Sequence, residues 1–333
     1  MGALEYGGGA ARPMNTMRSC LLLTLALIFL LACQSTPRDK IRVEVDPDTA
    51  KDSPAFQDDD ATRLVRQTHR NVQHYMQLRG QGKLQESVTM HRTVARAVDA
   101  DFDIFREMAQ NKSTLTARNM AVTCLGFSVL NRVKARDALI TLLDDDHVWI
   151  KANAALGLSI LRHKETDLTH LIRLLGHGDT EVRTNAATAL RELFLVRETP
   201  RELTPEHWAA IDGLVSLLND PATPRGRRAA VWALTNLRHP DMLPHLIVAL
   251  NDDDERVQVG ALRGMEILGD QRALEPLLEY LDGSPTTAAQ SYARRALVAI
   301  AVQGGFAKTP AELDALGTRS KLWRKWFRNK RNE

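Results

Sequence analysis

His163, His170 and His177 recur every seven residues, a spacing that places side chains on one helix face and could gather them round a metal ion. Only His170 falls within an apolar-periodic segment. The other two stand in turn-forming stretches about one helix length apart, and two ends of a helix cannot converge on one ion, so all three read as surface histidines. The acidic triplets Asp144-Asp145-Asp146 and Asp252-Asp253-Asp254 raise a cation site. Neither runs on into the Gly and Glu positions of a calcium loop. Each precedes a helical segment, where a carboxylate accepts from exposed N–H groups and favours the positive end of the helix dipole; Asp179 stands likewise before Arg183. There is no G-x-S-x-G, no phosphate-binding Gly loop, no G-x-G-x-x-G and no H-E-x-x-H. The chain is expected to be no enzyme and to hold no metal or cofactor.

Sulfur chemistry is confined to three cysteines. Cys124 has no disulfide partner left once Cys20 and Cys33 are assigned to the leader, and it aligns with small residues elsewhere; it reads as buried filler. Residues 1–33 read as targeting sequence. Arg18 precedes an apolar run from Leu21 to Leu31, too short for a bilayer span of ~20 residues but fitting the h-region of a signal peptide. "LLAC" at 30–33 resembles a bacterial lipobox, which implies cleavage before Cys33 and acylation of its thiol. The true start is placed at Met17. Gln34, rather than Asp, after that Cys favours the outer membrane. Residues 34–60, with four basic and eight acidic side chains, read as a flexible tether.

Positioning comes from a repeat. "NAALGL" at Asn153 returns as "NAATAL" at Asn185, 32 residues on. Arg118, Lys151, Arg183, Arg227, Gln258 and Gln290 form a column with steps of 33, 32, 44, 31 and 32 residues. Three residues on stands alanine six times: Ala121, Ala154, Ala186, Ala230, Ala261 and Ala293. Leu125, Leu158, Leu190, Leu234, Met265 and Leu297 follow, and Leu143, Leu175, Leu218, Leu250 and Leu281 mark a second segment. Each unit thus holds an Ala-rich first helix and a Leu-rich second helix. Thr204-Pro205, Thr223-Pro224, Ser284-Pro285 and Thr309-Pro310 read as helix starts. The basic column is expected to pair with turn acids of adjacent repeats, as a ladder of modest, partly exposed pairs.

With Val182–Leu190 as its clearest instance, V-R-x-x-A-A-x-A-L resembles HEAT repeats of the short bacterial kind, also called PBS-lyase HEAT-like repeats. The resemblance covers about residues 113–300, and Gln258 and Gln290 depart from its basic column. It implies an all-α fold, a HEAT-like α-solenoid of stacked helix pairs. The expected organisation is a helical pair over 61–112 capping the array, repeats over 113–305, and capping helices with a basic aromatic tail over 306–333. The 44-residue step places an insertion at 195–203, either a binding face or a tolerated surface loop.

The net charge of +3 is too small to imply nucleic acid. The charge is uneven, however, with seven basic side chains and one acidic over 319–333. There Trp323, Trp326 and Phe327 share a helix face. They either rest on anionic lipid or close the last repeat, and an array must close its end. The chain therefore reads as a scaffold tethered to a bacterial membrane through acylated Cys33, binding another protein in the envelope. Second helices are expected to line the concave side, with His170, Arg173, Ser216, His245 and Glu279 as contacts. Two alternatives remain: a bilin-lyase-like chromophore-attachment subunit, implied by relatives within the resemblance, and a purely structural element of envelope assembly.

Overall fold

Each of the six aligned alanines is fully shielded from solvent in the computed structural model, which describes residues 59–110, 114–283 and 285–331. The signal segment, Cys33 and the tether up to residue 58 lie outside the described residues. Regular structure among those residues is helical throughout. The fold is an α-solenoid, as the repeat pattern predicts.

Six helical hairpins build it, each with an Ala-rich second helix; the first helix is Leu-rich except in the first hairpin, where Phe102 and Phe105 take the place of the leucines. They are α3 (Phe102–Gln110) with α4 (Leu115–Leu125), α5 (Arg132–Leu142) with α6 (Val148–Leu161), and α7 (Thr169–Leu174) with α8 (Thr180–Val196). There follow α9 (Pro205–Leu218) with α10 (Pro224–Leu237), α11 (Leu243–Ala249) with α12 (Glu255–Leu268), and α13 (Leu274–Asp282) with α14 (Thr287–Gln303). The partners within each of these hairpins pack far more closely than an Ala-rich helix does with the Leu-rich helix after it. This corrects the sequence-based unit, which placed the Ala-rich helix first. A period has no beginning, so spacing alone leaves the phase of a repeat open.

The corrected phase moves the array's start. The segment expected to be one long second helix of the N-terminal pair is broken at Asp101, and α3 beyond the break packs on α4 in the place of a Leu-rich helix, with Phe102 and Phe105 among its buried side chains. The array therefore begins at Phe102 rather than 113. What remains ahead of it is a true pair, α1 (Asp60–Gly80) and α2 (Leu84–Ala100). Gly82 turns between them at φ 71°, a left-handed conformation that suits glycine. Helix α1 lies against α4, so the pair covers the open side of the first hairpin. Tyr75 meets Phe127 there edge-on, ring centroids 5.1 Å apart.

Small residues set the packing between repeats. A Cβ on Gly126 would stand 2.6 Å from the Gly157 carbonyl oxygen, so the end of α4 meets the α6 backbone only because Gly126 lacks a side chain; one on Gly157 would stand 2.8 Å from Leu139 of α5. The leucine column from Leu125 to Leu297 fills the layer between, fully buried. Of the Thr/Ser-Pro starts, Thr204 caps α9 with His207 returning a bond, and Thr309 opens a 3₁₀ segment, Pro310–Leu316, with Glu312 as partner. Pro224 opens α10 without a side-chain cap from Thr223. Ser284 lies outside the described residues; α14 starts two residues after Pro285, capped by Thr286.

Candidate functional site

The basic column ties turns together at five of its six positions, Lys151 apart. Arg183 donates to the carbonyls of His177 and Gly178 in its own turn and reaches Asp220 of the next at 2.8 Å. Arg227 bonds Pro221 behind it and the Asp252 and Asp253 carboxylates ahead. Arg118 bonds the Ala109 carbonyl and Asp145. Gln258 and Gln290 keep the backward half, bonding the carbonyls of Asp252 and Pro285, and Gln258 reaches forward as an acceptor, its Oε1 taking the Tyr280 hydroxyl of α13 at 2.6 Å. The expected pairing is present, but it is less exposed than expected: the Arg118 and Asp145 side chains are 8% and 9% exposed. The acidic triplets serve this ladder. Asp254 also caps α12, and Asp179 caps α8 through the Glu181 and Val182 N–H groups. At α6 the cap is instead His147, whose Nδ1 accepts from Trp149.

The spaced histidines are half-buried rather than free on the surface. His170 Nδ1 stands 2.9 Å from Asp144, which Arg173 also engages, and His177 Nδ1 accepts the Asp179 N–H at 3.0 Å. Among the described residues no group of three His, Cys, Asp or Glu could hold a metal ion. Cys124 is fully buried, and burial pushes its thiol pKa well up, so it does not ionise as a nucleophile would.

The predicted contacts His170, Arg173, Ser216, His245 and Glu279 lie on α7, α9, α11 and α13, and Ser216 and Glu279 are exposed. The structure places them on the wrong side for a concave groove. Ala-rich helices pack directly on one another along the whole array, while Leu-rich ones hardly meet. A stack with one layer more closely spaced curves toward that layer, so the Ala-rich helices present the inner face. The small residues that permit close spacing are the reason.

That inner face carries a stripe which sequence reasoning missed. Positions two before, and two and five after, the basic column share it by helical phase. Among the residues there, Met120, Trp149, Leu156, Glu181, Thr188, Trp232, Tyr292 and Arg295 are half-exposed and Arg225 is exposed, while Thr123, Ala229, Gly260 and Arg263 are buried. Charges along it are matched: Arg225 pairs with Glu181 at 3.0 Å, and Arg295 with Glu266 at 2.9 Å while lying over the Tyr292 ring. The repeated asparagines lie at its base. Asn153 donates to Asn119 and Asn185 to the Ala152 carbonyl, each tying its helix to the one before. The signal was legible in "DHVWIKAN", "RRAAVWAL" and "SYARRAL", where large aromatics interrupt an Ala-rich helix.

The insertion lengthens α8 to Val196, and the loop after it is fastened to the preceding repeat. Arg197 donates from Nε to the Lys164 carbonyl at 2.9 Å and from Nη2 to that of Thr166. Helix α9 is longer than α7, α11 or α13. At the far end, α15 (Ser320–Arg331) packs on α13, where a seventh Leu-rich helix would stand. Trp323 and Phe327 are buried, Trp326 is half-buried, and Trp323 Nε1–H donates to the Gly317 carbonyl at 3.0 Å. Arg324 pairs with Glu275 and Asp282; its bond to Asp282 holds its pKa above the ordinary guanidinium value. These contacts are those of a cap.

A family model for HEAT repeats matches residues 103–191 and 211–298. Among solved structures, an engineered protein is 19% identical, with 81% of this chain and 77% of that chain covered at a TM-score of 0.52. The YibA protein of Escherichia coli is 15% identical over 84% of this chain and 99% of that chain, at 0.48. The complex of CpcE and CpcF of phycocyanin lyase from Nostoc is 22% identical over 66% and 94%, at 0.35. No curated protein matches the sequence.

Proposed function

This chain belongs to the HEAT-repeat family, and from that premise we propose that it is a membrane-tethered scaffold whose Ala-rich layer binds another protein of the bacterial envelope, without catalysing a reaction. The observation that supports this reading is the set of half-exposed Trp149, Trp232, Tyr292 and Arg295, with exposed Arg225, on every second Ala-rich helix, α6, α10 and α14. Tryptophan, tyrosine and arginine are the side chains that dominate protein interfaces, and a rigid array loses little entropy on binding. Affinity capture from detergent-solubilised membranes tests it. A partner held by the wild-type chain should be lost from a Trp149→Ser, Trp232→Ser variant that melts unchanged; equal capture by both would reject the stripe.

Attachment is assigned to an acylated Cys33, on the outer membrane where the cell has one. Among the described residues no helix is long and apolar enough to cross a bilayer. Cys33→Ser should leave the precursor uncleaved or release the protein from the membrane fraction. Mass spectrometry finding an unmodified Cys33 in mature protein would reject lipidation.

A further inference from the structure

One edge of the array, away from the inner face, places an apolar knob beside a cationic cavity. In the turn between α4 and α5, Leu130 is 82% exposed, and Val129 and Val133 flank it at 49% and 51%. Exposed loops with apolar tips are ordinarily loose, but this one is held. The Asp99 carboxylate of α2 accepts the Ser128 hydroxyl at 2.6 Å, the Val129 N–H at 2.9 Å and the Leu130 N–H at 3.0 Å. Ser128 Oγ in turn accepts the Asn131 N–H at 3.1 Å. The turn is thus ordered before any partner arrives, and the entropy of ordering it is not lost on binding.

Next in sequence, Arg132 crosses to the end of α6 and donates to the Leu161 and Arg162 carbonyls. There it borders a cavity of about 350 Å³ lined by Arg132, Arg162, His163, Lys164, Glu165 and Val196. Arg132 and Lys164 face Glu165 there, and the third cation of the lining, Arg162, is already balanced by a second carboxylate. Arg162, in the left-handed region at φ 49°, is paired with Glu192. His163 Nδ1 is shut off from solvent without a hydrogen-bond partner. Burial, with the charges of Arg136 and Arg132, holds the His163 pKa below its ordinary value against the opposing pull of Glu165 and Asp137. The cavity therefore offers Arg132 and Lys164 beside the apolar side chain of Val196, and Arg132 ties it to the turn that carries Leu130.

We propose that the Val129–Leu130–Val133 knob and the adjoining cavity form a docking site for an acidic peptide segment of a partner protein that also carries a large apolar side chain. A carboxylate of the segment enters the cavity toward Lys164, Arg132 and the His163 ring, and the apolar side chain covers Leu130 and Val133. Charge complementarity selects this occupant. A phosphate backbone has no use for the exposed leucine, and the cavity is sized for one or two side chains. The site deepens the scaffold reading but lies apart from the inner-face stripe, so either can fail alone.

The test is selection of random peptides on the immobilised full chain in neutral detergent, with Leu130→Ser and Lys164→Glu as controls. Peptides retained by the wild-type chain should combine Asp or Glu with Leu, Ile or Phe. A synthetic copy should bind each variant about tenfold more weakly, as for loss of an interface hot spot, with melting unchanged and with no effect of Trp149→Ser. Three outcomes would overturn the proposal. The first is peptides without acidic residues, or binding indifferent to both substitutions. The second is a dimer that Leu130→Ser dissolves in sedimentation, which gives the patch to a second copy. The third is binding to anionic phospholipid vesicles that both substitutions abolish, which gives it to the bilayer.

Discussion

Arg118 spans two turns, bonding the Ala109 carbonyl behind it and the Asp145 carboxylate ahead, with both charged side chains nearly out of water. Removing one member of such a pair strands the other, which costs about 3–5 kcal/mol, unlike an exposed pair at about 1 kcal/mol or less. Arg118→Ala should therefore lower the urea midpoint strongly, whereas Lys151→Ala, in the same column but half-exposed, should barely move it. Equal midpoints would show that the ladder contributes no more than surface pairs. A second residue-scale prediction concerns acid. His69 is buried on α1, and desolvation lowers its pKa to about 4 from an unperturbed 6.5. Between those values the unfolded chain binds a proton that the folded chain refuses, so stability is present above pH 6.5 and falls as pH drops toward 4. The loss is on the order of 3 kcal/mol. His69→Gln should flatten that part of the pH–stability curve, and an unchanged slope would place the acid sensitivity elsewhere. The sequence made the ladder's pairing legible through its column and the Asp-rich turns. It did not reveal the depth of burial, because that depends on how adjacent repeats enclose the pair.

At the scale of elements, α15 stands in for a missing repeat helix. Its apolar face is used up by Trp323 and Phe327 against α13 and Phe306, with the Phe306 and Phe327 centroids 5.6 Å apart. Lys321, Lys325 and Arg328 face water. Trp323→Ala should cost ~3–5 kcal/mol in the absence of any lipid, and Lys325→Ala close to nothing. A Trp323→Ala protein of unchanged stability that no longer binds anionic vesicles would restore the lipid reading. The amphipathic pattern showed that this helix has one sticky face. It could not show what covers that face, because a bilayer and a neighbouring helix demand the same apolar residues. The break at Asp101 was equally hidden, since apolar spacing continues across it and only the docking of α3 on α4 distinguishes two helices from one.

Over the whole molecule, each hairpin touches only its neighbours, so stability is nearly a sum of local terms. Arg118→Ala and Trp323→Ala, at opposite ends of the array, should therefore add in a double variant to within about 0.5 kcal/mol. A markedly larger combined loss would mean that the array transmits strain from end to end. The sequence by itself determined the helix types, the six-fold column of alanine, the short turns with their acids and hence the solenoid, because all of these follow from spacing along one chain. Tertiary structure alone decided three things. The first is the phase of the hairpins, since a period carries no origin. The second is which layer is the inner one, since curvature follows from relative spacing: the small side chains of the Ala-rich helices draw them together while the Leu-rich helices stand apart. The third is the Leu130 knob and its cationic neighbour. Asp99, Leu130 and Arg162 are far apart in the chain, and they meet only because α2, the α4–α5 turn and the end of α6 come together at one edge.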